Sequence, residues 1–103
     1  MLMRKLEECA LFSAPVFSAD GTETRRSMGM IRAAFTSRSS EEIAEDGAWR
    51  AAETVHAVIP ARFAPIGGFR RGMTLLRGER IYRMLNPVNL GRLWNVKCVY
   101  VHH

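Results

Sequence analysis

The chain of 103 residues is 48% hydrophobic, enough for one domain over residues 1–103 with a small core. No apolar run approaches the roughly 20 residues of a membrane helix. The opening stretch, broken by Arg4, Lys5, Glu7 and Glu8, lacks the form of a signal peptide, so a cytoplasmic product with no membrane role is expected.

The net charge of +5 is carried mainly by arginine, and it is segregated. Glu41, Glu42, Glu45, Asp46 and Glu53 face Arg50 alone over residues 40–53. Arg62, Arg70, Arg71, Arg77, Arg80, Arg83 and Arg92 face Glu79 alone over residues 60–92. Such a division describes either two solvated faces or the acidic edge of one copy meeting the basic edge of the next, the head-to-tail contact that builds rings.

In chain order, Leu2, Leu6 and Cys9 stand at helical spacing and predict a short helix over Met1–Ala10, although no residue caps it. Pro15–Ala19 is a predicted strand, followed by the turn pair Asp20-Gly21 and a polar hairpin flank over Thr22–Ser27. In the returning strand, Met28–Thr36, the residues Ile31, Ala33 and Phe35 alternate with Arg32 and Ala34, so Arg32 should face water. Ser37–Gly47 keeps Ile43 as its sole branched apolar residue. It reads either as an acidic turn capped by Ser39 or Ser40 or as a mobile excursion, longer than a connection needs.

Ala48–Arg62 is the next strand, dry along Val55, Ala57 and Ile59, with Pro60 ending regular pairing. Phe63–Gly72, with Pro65 and Gly67-Gly68, is a second long loop tipped by Phe69-Arg70-Arg71. Three apolar runs follow, Met73–Leu76, Ile81–Leu85 and Leu93–Val101, joined through Gly78 and through Pro87–Gly91. In the last run Trp94, Val96, Cys98 and Tyr100 alternate with Asn95, Lys97 and Val99, the period-two pattern of a half-wet strand. Together these elements predict an all-β, mainly antiparallel barrel or sandwich of five to six strands over residues 15–101, with long loops and an N-terminal helix or arm over residues 1–12.

No reaction centre assembles from these residues. His56 stands mid-strand without an acid or thiol at ligand spacing, the serines lie outside any nucleophile elbow, and Glu41, Glu42 and Glu45 are not followed by a loop of oxygen ligands. Cys9 and Cys98 read as reduced and buried. No enzyme activity, metal, cofactor or small-molecule substrate is expected. Trp49, Trp94, Tyr82 and Tyr100 beside arginines permit a second reading, a small nucleic-acid-binding barrel of OB type.

The series Arg71-Gly72-Met73-Thr74-Leu75, Arg77-Gly78-Glu79-Arg80-Ile81-Tyr82, a polar turn and a last strand resembles the small head–tail connector proteins of tailed bacteriophages and prophages, the head-closure and tail-attachment proteins. Upstream, Gly29–Phe35 and Ala52–Pro60 resemble the two strands that precede this series in the family. The resemblance implies a barrel-like domain forming a ring between portal or adaptor and tail, at the head–tail junction of the virion, after assembly in the host cytoplasm. DNA would pass through the bore without sequence-specific contact. The long loops would touch neighbouring subunits, which places Glu41, Glu42, Glu45 and Asp46 at an interface, with Arg62, Phe69, Arg70 and Arg71 opposite them or facing DNA.

Overall fold

A computed structural model describes residues 5–45 and 47–101. Strands dominate it: β1 (Glu7–Phe12), β2 (Val16–Phe17), β3 (Glu23–Thr24), β4 (Ser27–Phe35), β5 (Ser39–Glu45), β6 (Ala48–Pro60), β7 (Thr74–Arg77), β8 (Arg80–Asn89) and β9 (Leu93–Tyr100). A single 3-10 turn, Ala61–Phe63, follows Pro60 among the described residues. None of them forms a helix long and apolar enough to cross a membrane.

Every strand pairing is antiparallel. The principal sheet runs β4-β1-β7-β8-β9-β6-β5. A further pairing, Ala34↔Val58 and Phe35↔Ala57, brings β4 to β6, so the curled sheet meets itself and β5 is left outside the circuit. The period-two pattern sends Cys9, Leu11, Ile31, Ala33, Phe35, Val55, Ala57, Ile59, Leu75, Tyr82, Met84, Val96 and Cys98 to the inside, where they form one continuous core with Phe69 and Met73. Phe35, Tyr82 and Tyr100 stack through it in sequence, with centroids 6.0 and 5.7 Å apart. The Gly78 hairpin closes with φ +60°, a conformation that side chains with a Cβ resist.

Four expectations are corrected. Glu7–Phe12 is a strand, not a helix; it lies between β4 and β7, with Cys9 and Leu11 inward. Of the rest of that expected helix, Lys5 and Leu6 are not helical and residues 1–4 lie outside the described residues. Ser37–Gly47 is neither a capped turn nor an excursion, since Ser39–Glu45 pairs residue for residue with β6. With β1 and β5 added, the sheet has seven strands where five or six were expected. The turn expected over Pro87–Gly91 also begins later, because β8 continues to Asn89. Pro87 is tolerated there because β7 pairs with β8 only through Arg83, leaving Pro87 opposite Val96 with no strand on its other side.

The outer face is not wholly wet either. Val99 is 1% exposed and lies opposite Thr54, itself 1% exposed. Glu41 on β5 spans this row. It accepts a hydrogen bond from Thr54 Oγ1 at 2.6 Å and one from Lys97 Nζ on β9 at 3.0 Å.

Candidate functional site

The pairing of β6 sets the geometry. From Thr54 to Pro60 this strand lies against β9, but from Ala48 to Glu53 its partner is β5 alone. At ~3.3 Å per residue the unsupported part is a two-stranded ribbon of ~20 Å, which accounts for a molecule measuring 49 × 31 × 26 Å. A ribbon of two strands is marginal unless its base is anchored, and here both sides of the base are. On the outer side stands the Glu41–Thr54–Lys97 cluster. On the other, Glu53 binds Arg38 at 3.1 Å and Arg80 at 3.2 Å, and the Arg80 guanidinium lies 4.9 Å over the Tyr100 ring.

The two faces of the ribbon differ. Glu41, Ile43, Arg50 and Ala52 share one face, where Ile43 is buried. Glu42, Ala44, Trp49 and Ala51 share the other, and all four are exposed. Trp49 is 73% exposed. An indole in water on a projecting element is the composition of an interface anchor. Sequence reasoning placed this residue in the core or on a stacking surface. The signal that could have located it is the polarity of residues 36–47, which leaves no apolar strand to cover the start of β6.

The acidic residues expected at an interface separate accordingly. Glu42 is exposed on the Trp49 face. Glu41 is engaged within the chain, and its hydrogen bond from Thr54, aided by Lys97, lowers its carboxyl below the ordinary value. Glu45 is the last residue of β5, and Asp46 lies outside the described residues.

The basic residues sit at the opposite end of the same strand. Arg62, Arg70 and Arg71 are exposed in the loop after Pro60. Arg62 stacks over Phe63 at 4.7 Å, and Arg71 donates to the Leu85 carbonyl at 3.3 Å. Phe69 is not at a loop tip. It is 4% exposed and meets Trp94 edge-on, with centroids 5.3 Å apart; the loop's outermost apolar residue is Ile66. The structure therefore sets the acidic arm and the arginine loop apart, at the two ends of β6, and does not bring them together within one chain.

The remaining chemistry-bearing groups are held in local contacts. His56 Nδ1 lies 3.0 Å from Asn95 Oδ1. Burial pushes the Cys9 thiol up to about 11 and the Cys98 thiol up to about 12, so both are protonated at neutral pH. Among the described residues no three His, Cys, Asp or Glu side chains converge as a metal site. Phe35, Phe69 and Tyr82 are buried, so they offer no platform to a nucleobase.

No protein-family model and no curated protein sequence matches the chain. Solved structures do. A chain from the virion of a native gene transfer agent particle superposes with a TM-score of 0.63 at 22% identity, covering 96% of this chain and 98% of that one. The protein xkdH of the phage-like element PBSX from Bacillus subtilis superposes with a TM-score of 0.58 at 14% identity, covering 96% of both chains. The likeness shows a shared fold over nearly the whole length.

Proposed function

We propose that this chain is a structural protein of a phage or prophage-derived particle, acting at the junction of the DNA-filled head and the tail. It would assemble there as a ring held by protein–protein contacts and catalyse no reaction. The observation that carries this reading is end-to-end similarity to a chain of a gene transfer agent virion and to a protein of a phage-like element. The polarity of the molecule supports the ring: an acidic arm leaves one end of β6 and an arginine loop leaves the other, as a head-to-tail contact between identical copies needs. In such a ring the partners are neighbouring copies, a portal or adaptor protein on one side and a tail protein on the other. DNA would pass through the bore without base contacts.

Inactivating the gene in a particle-producing host tests the reading. DNA-filled heads and separate tails should accumulate, and supplying the chain should restore joined particles. Joined, infective particles in its absence would remove the role.

A further inference from the structure

A second apolar feature lies on the outer wall, on the body rather than on the arm. The residues of β1, β7 and β8 that point away from the core leave an open groove of ≈ 370 Å³ floored by Phe12, Leu76 and Ile81, with Val101 alongside. Arg25 and Arg83 line it as well. None of its four apolar side chains belongs to the buried core. The molecule thus shows an indole on an acidic ribbon and an apolar groove with a cationic rim.

We propose that Trp49 of one copy seats in this groove of a second copy, with Glu42 set toward the rim arginines. The proposal rests on the ring reading above, with this groove rather than the arginine loop receiving the arm, and names the contact that would close the ring. Three observations select a second copy as the occupant. The groove has room for an indole and a small neighbour, and Ala44 and Ala51, flanking Trp49 on its face, are small. Charge is complementary: Glu42 is exposed on the Trp49 face, and Arg83 and Arg25, the latter also paired with Glu23 at 3.3 Å, border the groove. The arm projects beyond the body that carries the groove, so the contact joins unlike surfaces and propagates from copy to copy.

Disulfide trapping on the full chain tests it. Ala51→Cys puts a thiol beside Trp49 on the same face without removing the indole, and Val101→Cys puts one at the groove. The native Cys9 and Cys98 are buried and do not compete. At high protein concentration under mild oxidation, the double variant should give a ladder of covalent oligomers, and an equimolar mixture of the two single variants should give dimers only. Adding Trp49→Ala should lower the yield by about tenfold or more, with an unchanged melting temperature because the side chain is exposed. Ile81→Lys, which fills the groove with a charge, should do the same.

Several results would overturn the contact. These are a ladder indifferent to Trp49→Ala, a bond formed within one chain, arm-to-arm dimers of Ala51→Cys alone, or no cross-link up to millimolar protein. Trapping of Ala51→Cys on a different polypeptide in assembled particles would also overturn it, in favour of another virion protein. The two readings fail separately. Rings or joined particles without the cross-link would remove the contact and leave the joining role; a ladder from the purified chain alongside normal particles in its absence would do the reverse.

Discussion

Glu41 shows how a charged residue in a promising segment can serve the fold. Its carboxylate takes a hydrogen bond from Thr54 and another from Lys97, and its proton affinity falls because both contacts favour the ionised form. The sign of the pH effect follows. A carboxyl whose folded value lies below its ordinary 4.5 contributes stability that is full above that value and is lost as pH falls through the folded one. Glu41→Gln should therefore lower stability at neutral pH, change it little at pH values below the folded one, and so flatten the acid limb of the stability–pH curve measured by urea unfolding at a series of pH values.

Gly68 makes the opposite point, a residue with no chemistry that is nonetheless fixed. Its φ is +80°, and a Cβ there would stand 2.7 Å from the Trp94 ring. Gly68→Ala should cost about 1–3 kcal/mol, read as a lowered urea midpoint. The sequence marks this glycine as a loop residue. Its contact with Trp94 depends on a loop folding back over the sheet, which no local pattern announces.

At the scale of elements, the two strands that sequence reading missed fail for different physical reasons. β1 offers only Cys9 and Leu11 as inward apolar positions, and Leu2, Leu6 and Cys9 happen to satisfy a helical period as well. Its state is decided by being paired on both sides, a tertiary fact. β5 has almost no apolar signal, because pairing with a long neighbour holds it in place of burial. The strands that bury an alternating face, β4, β6 and β9, were legible in type and nearly in extent.

The same reasoning predicts how the arm behaves. Amide hydrogens over Ala48–Glu53, in a ribbon flanked by water, should exchange orders of magnitude faster than those over Val55–Ile59, which are locked between β9 and β4 or the core. Hydrogen exchange read by NMR or mass spectrometry checks this; equal protection along β6 would mean that the arm is covered in solution.

For the whole molecule, the all-β architecture was readable from turn glycines and alternation, and the segregated charge suggested either two solvated faces or a head-to-tail contact between copies. What stayed hidden was direction. Linear sequence puts the acidic block and the Arg62, Arg70 and Arg71 loop close together, whereas β6, thirteen residues long, carries them to opposite ends, and Arg80 of the basic block returns to pair with Glu53. The candidate interface was accordingly half legible: Glu42, Arg62, Arg70 and Arg71 lie at the surface, Glu41 and Phe69 are used internally, and Trp49 emerged only from the geometry.

The circuit of strands has one more effect, on biosynthesis. β1 leaves the ribosome first, yet one of its two neighbours is β7, with Ala10 opposite Leu76 and Phe12 opposite Thr74. Until β7 has been made, β1 has a raw margin able to pair with any passing strand. Closing so wide a span in sequence is slow, so translation itself holds back maturation, and copies released together share a window in which mispairing competes with the native seam.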